Sequence, residues 1–208
     1  MNKSELEKVF LKQKEEIFSQ YDSPGKRYLE LGENLPVILF RYEMITGYVG
    51  AGTNDFVEEG IFFSGEDLTQ LGRGIMENGL AMGLTITEEE EAEDLINGLI
   101  TLTDRYYKKA ELLALKTETE QEKDQLYDIA EVMRHLSQNP PKNFLEKVEL
   151  LWVLQLGEIL SRTGKVMSMN LLEEVILESA QKEELPEDAK RIIDSFFQKW
   201  KFVFGKRA

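Results

Sequence analysis

The densest run of apolar residues in the chain lies between positions 139 and 160. Apolar side chains there fall on nearly every face of a helix, which is typical of a helix surrounded by its neighbours. Pro140 and Pro141 interrupt the preceding segment. Asn143 can then cap the first turn, with Glu146 at the matching position of a capping box. We therefore predict a buried central helix at about residues 144–161, with charged positions that make it too polar to span a bilayer.

Helical spacing of apolar residues predicts further helices on both sides of this central one. Their starts carry recognisable signals, because serine, threonine or asparagine caps a first turn and proline suits the first helical position. The predicted starts are Ser4 with Glu7, Ser23 before Pro24, Ser64 with Asp67, Thr87 with Glu90, Glu120, Asn170, and Leu185-Pro186-Glu187-Asp188. The fold class that follows is mainly α.

The exception to this helical pattern is a segment near residues 35–60. Two short apolar runs at 35–40 and 44–48 flank a polar bend, which favours strand-like segments and a small hairpin. No internal repeat or low-complexity linker divides the chain. We predict a single helical domain over residues 1–208, with an irregular lobe at about 35–64 and a helical core at about 65–204.

The composition of the chain argues against several kinds of partner and site. The formal net charge is −14 over 208 residues, so nucleic acid and anionic membrane surfaces are disfavoured as partners. The chain has no cysteine, which excludes disulfides, thiolate metal sites and cysteine nucleophiles within it. The first twenty residues are charged throughout and do not form a signal peptide, so we expect a soluble protein in the cytoplasm.

Three features invite a chemical interpretation. The glycines between residues 47 and 52 could approach a phosphate, but the Lys-Ser/Thr ending of a nucleotide loop is missing, and we favour an exposed turn. The acidic run at 88–94 is better explained as a helix start than as a cation site, because it complements the helix dipole. His135 is the only histidine, and packing near the helix end is favoured over proton transfer. No catalytic residue, metal site or cofactor is predicted.

Two binding hypotheses remain. One is a small-molecule pocket between the long helices and the glycine segment. Its proposed lining is Arg41, Tyr42, Tyr48, Gly50 and Arg73. The other is an aromatic face on the last helix that could meet a protein partner or a second copy of the chain if no other helix covers it. Its residues are Phe197, Trp200, Phe202 and Phe204, of which the last three are expected to be the most exposed.

A family resemblance runs through the second half of the chain. A helix, the letters IAE, a short link, the letters NPP and an aromatic-rich helix follow one another, and this order resembles the helical N-terminal part of glycyl radical enzymes of the pyruvate formate-lyase type. The residues that carry it are 105–111, 129–132, 139–146, Leu151 and Trp152, with weaker similarity at 35–38, 43–47 and 185–201. Its specific part is about 105–156 and consists of packing residues.

The resemblance also implies requirements that this chain does not meet. Glycyl radical enzymes need a cysteine that becomes a thiyl radical and a glycine on a C-terminal loop, and neither is present here. Residues 166–176 also lack the glycine-arginine and aspartate-glutamine features of the family. We therefore expect a non-catalytic helical binding or assembly module. The alternative is a fragment or subunit of a lyase or dehydratase that is active only with a chain supplying the cysteine and the radical glycine.

Overall fold

The structure is a computed structural model that describes residues 2–41, 43–50, 63–64, 67–68, 70–87, 90–161, 169–182 and 184–204. Its described part is mainly α, as predicted. The helices are α1 Lys3–Gln20, α2 Pro24–Asn34, α3 Gln70–Asn78, α4 Leu80–Ile86, α5 Glu90–Ala114, α6 Glu120–Leu136, α7 Phe144–Leu160, α8 Met169–Gln181 and α9 Ala189–Phe204. Two strands of two residues each, β1 Phe63–Ser64 and β2 Asp67–Leu68, pair antiparallel.

Helix α7 is the centre of the molecule, which confirms the prediction of a buried central helix. The Asn143 side chain accepts a hydrogen bond from the Glu146 backbone N–H, and every residue from Val148 to Leu160 is buried. The helix packs against α3, α5, α6, α8 and α9. Burial extends to four polar residues of this helix, namely Glu146, Glu149, Gln155 and Glu158. A helix enclosed in this way positions polar groups inside the protein.

Helix α5 is the second organising element, because α2 and α6 pack along it. The contact with α2 is close enough to require glycine on both helices. A Cβ on Gly32 would lie 2.2 Å from the Gly98 carbonyl oxygen, and one on Gly98 would lie 2.5 Å from the Tyr28 carbonyl oxygen. The backbones of α2 and α5 are therefore in direct contact at this crossing.

Predicted helix starts were wrong at α1 and α3. The cap of α1 lies two residues earlier, because Asn2 rather than Ser4 caps the helix and forms a capping box with Glu5. Ser64 and Asp67 lie in the paired strands, so they cannot cap α3, which begins only at Gln70. Thr87 is the C-cap of α4, a helix that the sequence pattern had not indicated. The role of Thr87 at the start of α5 stays a prediction, because residues 88–89 lie outside the described part.

The predicted hairpin at residues 35–48 is also wrong. The described residues 35–41 and 43–50 form no strand, yet residues 45–50 are all buried. The segment enters the core in an irregular path. Gly47 and Gly50 have φ values of +118° and +76°, a region that only glycine enters without strain. The expectation of an exposed turn at the glycine segment is therefore wrong for residues 47–50, and residues 51–52 lie outside the described part.

Candidate cleft between α6, α7 and α9

A cleft of about 450 Å³ opens between α6, α7, α9 and the irregular segment around residue 44. Its volume lies within the usual range for small-molecule sites. Its lining includes both apolar side chains and hydrogen-bonding groups. The lining residues are Met44, Thr46, Gln121, Gln125, Asp128, Ile129, Val132, Leu145, Glu149, Arg191, Ser195 and Gln198.

Glu149 is the buried acid of this cleft. Its two carboxyl oxygens lie 3.1 and 2.9 Å from the Thr46 backbone nitrogen, which donates a hydrogen bond to them. The residue is only 1% exposed. Burial raises the pKa of Glu149 well above its ordinary value, and the negative charge of Glu43 acts in the same direction. The Thr46 hydrogen bond and the charge of Lys199 oppose that shift without cancelling it.

Beside Glu149 lies a buried ion pair. Lys199 on α9 donates to the carboxylate of Glu43, and both side chains are 7% exposed. The Lys199 ammonium also stands 4.8 Å from the centre of the Phe40 ring. Burial raises the pKa of Glu43, and Lys199 opposes this rise. A second hollow of about 250 Å³ contains this pair and shares Met44, Ser195 and Gln198 with the main cleft.

The walls of the cleft carry a second carboxyl and one cation. The pKa of Asp128 is raised by partial burial and by the neighbouring negative charges of Asp124 and Glu131. Among the described residues, neither Asp128 nor Glu149 forms an ion pair with a cation within 4 Å. Arg191, by contrast, already lies 3.0 Å from Asp188. The cleft therefore offers more uncompensated acid than base.

The segment that bounds the cleft is fixed by side chains distant in sequence. The Tyr106 hydroxyl accepts from the Tyr48 N–H at 2.8 Å and donates to the Tyr48 carbonyl at 3.0 Å. The Trp152 indole donates to the Gly47 carbonyl at 3.0 Å, and Gln125 donates to the Glu43 carbonyl at 3.0 Å. Burial raises the pKa of both tyrosines, so they stay neutral and keep their hydrogen bonds across the physiological range.

The residues predicted to line a pocket are dispersed in the structure. Arg41 is exposed beside Glu122, at 3.2 Å, and reaches only the smaller hollow next to the cleft. Arg73 lines a different depression beside α8. Tyr48 is fully buried, with its hydroxyl hydrogen-bonded to Glu7. Gly50 packs against α1, and Tyr42 lies outside the described residues. The four described residues do not form one site.

The predicted aromatic face is mostly covered. Trp200, expected to be exposed, is 5% exposed because it packs against Phe196 and Phe204. Phe202 is partly buried, with its ring 5.2 Å from that of Phe40. Phe197 alone of the four is largely exposed. A partner contact at Phe197 stays a prediction.

The remaining chemical candidates have structural explanations. The Nε2 atom of His135 lies 2.9 Å from the Pro140 carbonyl oxygen and 3.6 Å from Glu146, so the ring packs at the proline turn. Glu90, Glu91 and Glu93 occupy the first turn of α5, while the acidic positions 88–89 lie outside the described part. No group of three or more potential metal ligands occurs among the described residues, and none of the helices described is long and apolar enough to cross a membrane.

Sequence reasoning missed the cleft because Glu149 resembles an ordinary polar position on α7. Its neighbours in space lie on α6, α9 and the segment near residue 44, and helical spacing carries no information about such distant contacts. One signal was available. A glutamate within an almost continuously apolar helix is rarely fully buried without a specific partner.

The second half of the chain matches a known protein family. The model of the pyruvate formate lyase-like family matches residues 86–203, which include α5, α6, α7 and α8 and nearly all of α9. The chain belongs to this family. The resemblance to glycyl radical enzymes that the IAE and NPP motifs indicated is thereby confirmed. No curated protein matches the chain.

A solved structure extends the likeness beyond the matched residues. It comes from a study of 1,2-propanediol dehydration, and of substrate and enantiomer selectivity, in Roseburia inulinivorans. The TM-score is 0.63 at 14% sequence identity, over 89% of the present chain. The likeness shows a shared fold. The aligned region corresponds to 36% of that longer chain, so the pyruvate formate lyase-like protein described here matches only part of it.

Proposed function

We propose that the chain is a non-catalytic helical module of the pyruvate formate lyase-like family that binds a small molecule in the cleft between α6, α7 and α9. The observation that carries the proposal is Glu149, a buried carboxyl that lines a cavity of about 450 Å³ and has no cationic partner among the described residues. A group of this kind is costly to bury, and such groups concentrate at functional sites.

The absence of cysteine supports a binding role over catalysis. The 208 residues contain no side chain that could become the thiyl radical implied by the resemblance to glycyl radical enzymes. The hydrogen bonds of Tyr106 and Trp152 fix the segment bounding the cleft. A fixed wall lowers the entropic cost of binding.

The proposal is tested by a thermal-shift screen of small polar molecules, repeated with a variant that fills the cleft. Ser195→Trp places a large ring at a half-buried position of the lining, while the adjacent Asp194→Trp places it on the exposed side of α9. We expect stabilising ligands for wild type and Asp194→Trp that lose their effect on Ser195→Trp. Mass spectrometry should recover the ligand unchanged. Hits that stabilise Ser195→Trp equally, or are converted, would contradict the proposal.

A second candidate is a subunit or fragment of a lyase or dehydratase that acts with another chain. It is favoured by one observation, the match to only 36% of the longer chain in the comparison structure. Such a piece should expose an apolar face where the rest of the enzyme would pack. Light scattering and a thermal melt test this, because a waiting apolar face predicts heterogeneous oligomers and a broad transition. A monodisperse species with a cooperative melt would count against it.

The exposed apolar side chains in the described part bear on this choice. They are spread over α1, α4, α5, α6, α8 and α9 and over two connections. These residues are Val9, Leu11, Met82, Leu112, Leu115, Tyr127, Leu177, Leu185 and Phe197. Because scattered apolar residues are normal on any protein surface, this distribution supports the self-contained module.

A further inference from the structure

The chemistry of the cleft defines the kind of molecule that fits it. Resting on the function proposed above, we infer that the cleft binds a small organic ammonium compound, with its charged head near Glu149 and Asp128 and its carbon chain against the apolar wall. Both carboxyl side chains line the same cavity. The apolar wall is formed by Met44, Ile129, Val132 and Leu145.

The charge balance around the cavity selects for a cation. Arg191 is occupied by Asp188 at 3.0 Å, and Lys199 is occupied by Glu43. The two carboxyls of the lining have no such partner among the described residues. A bound ammonium group would pair with Asp128 and favour the ionised form of Glu149 inside a partly desolvated site, where the attraction between opposite charges is stronger than in water. A carboxylate ligand would instead meet repulsion.

The shape and the free polar groups of the site favour an organic cation over a bare metal ion. A cavity of about 450 Å³ with four apolar side chains in its wall exceeds what a single ion fills, and hard metal ions require several oxygen ligands at once. The side chains of Ser195 and Gln198 form no hydrogen bond within the described part of the chain. Their hydroxyl and amide oxygens can accept the remaining N–H groups of an ammonium head.

The protonation state of Glu149 should change when an ammonium compound binds. Burial keeps this carboxyl neutral above its ordinary pKa, while a neighbouring ammonium favours its ionised form. Binding should therefore release a proton. Two charged groups act on Glu149, Glu43 on the irregular segment and Lys199 on α9, and two more line the same cavity, Asp128 on α6 and Arg191 on α9. All four stay in place in the variants of Glu149.

The test is calorimetric titration of the full chain with butane-1,4-diamine, using butane-1,4-diol as a neutral probe of the same length. Titrations at neutral pH in phosphate and in HEPES, two buffers with different ionisation enthalpies and without a primary ammonium group, separate proton release from the binding enthalpy. We expect the diamine to bind, the diol to bind at least roughly tenfold more weakly, and up to about one proton to leave per bound diamine. Glu149→Gln should abolish the proton release and lower the affinity for the diamine by roughly tenfold.

Two further variants control for folding and for general electrostatics. Asp128→Asn changes an exposed residue of the lining and should also lower the affinity for the diamine. Because the residue is exposed, the core should be unaffected. Glu173→Gln removes an exposed acid on α8, away from the cleft, and should leave diamine binding unchanged.

Equal binding of diol and diamine, or unchanged binding to Glu149→Gln and Asp128→Asn, would overturn the inference. If the diol binds wild type as tightly as the diamine does, and does not bind Ser195→Trp, the proposed binding function stands and the ammonium ligand is overturned. If neither probe nor any screened molecule binds, both proposals fail.

Discussion

Replacing Glu149 with glutamine tests whether the buried carboxyl of the cleft is neutral in the folded protein. The glutamine side chain has nearly the same size and keeps one oxygen that can accept the Thr46 N–H, which donates to the native carboxyl oxygens at 3.1 and 2.9 Å. The core around α7 should therefore be preserved. At about pH 4, where glutamate is mostly protonated in both states, we expect the two proteins to differ by no more than about 1 kcal/mol.

The difference should grow as the pH rises. Burial raises the pKa of folded Glu149 well above 4.5, its ordinary value, so the folded state holds a proton that the unfolded state has lost. Stability conferred by that proton is complete below the unfolded-state pKa and declines until the folded-state pKa is passed. The wild-type free energy of unfolding should fall relative to Glu149→Gln by about 1.4 kcal/mol per pH unit in that window.

Urea unfolding followed by circular dichroism at intervals between pH 4 and pH 8 provides the measurement. We expect Glu149→Gln to become the more stable protein as the pH rises from 4 towards neutral, because burial raises the pKa of the native carboxyl. Glu173→Gln, an exposed acid on α8, serves as the matched control and should follow wild type at every pH. If the free energies of unfolding of wild type and Glu149→Gln change with pH in parallel, Glu149 is not neutral in the folded protein. The proton release expected on ligand binding would then be refuted as well.

Three further substitutions test the packing. Gly98→Ala should destabilise the protein by roughly 1–3 kcal/mol in urea unfolding, because its Cβ would lie 2.5 Å from the Tyr28 carbonyl oxygen, and a stabilised variant would contradict the close helix contact. Asn143→Ala removes the side-chain cap of α7 and should cost about 0.5–2 kcal/mol, which an unchanged melting temperature would disprove. Lys199→Met leaves Glu43 buried without its cation and should lower the free energy of unfolding by roughly 3–5 kcal/mol. The double variant that also carries Glu43→Gln should recover part of this stability. No recovery would argue against the ion pair.

The helical part of the fold could be predicted because its signals are local. Helix α7 is indicated by a run that is apolar on all sides and by Asn143 at its cap, and α9 by aromatic residues at helical spacing. Cap signals were less dependable. Ser64 and Asp67 have the spacing of a capping box, yet they pair as short strands, since such a motif is equally compatible with a turn.

The irregular segment and the cleft could not be predicted because their stabilising contacts are distant in sequence. Thr46 bonds to Glu149, 103 positions away, and Gly47 bonds to Trp152, 105 positions away. Apolar residues such as Ile45 suggested strands, whereas side chains from three helices satisfy the backbone of this segment in place of a strand partner. Periodicity detects burial but not the partner that makes burial of a polar group possible.

The most direct test of the binding role is a methyl-labelled NMR titration of the full chain with butane-1,4-diamine. Binding in the cleft predicts saturable shifts confined to the methyl groups of Met44, Ile129, Val132 and Leu145, with none at Met82 or Leu177 on other faces. Absent shifts at saturating diamine, or shifts concentrated away from the four lining residues, would contradict a binding site between α6, α7 and α9.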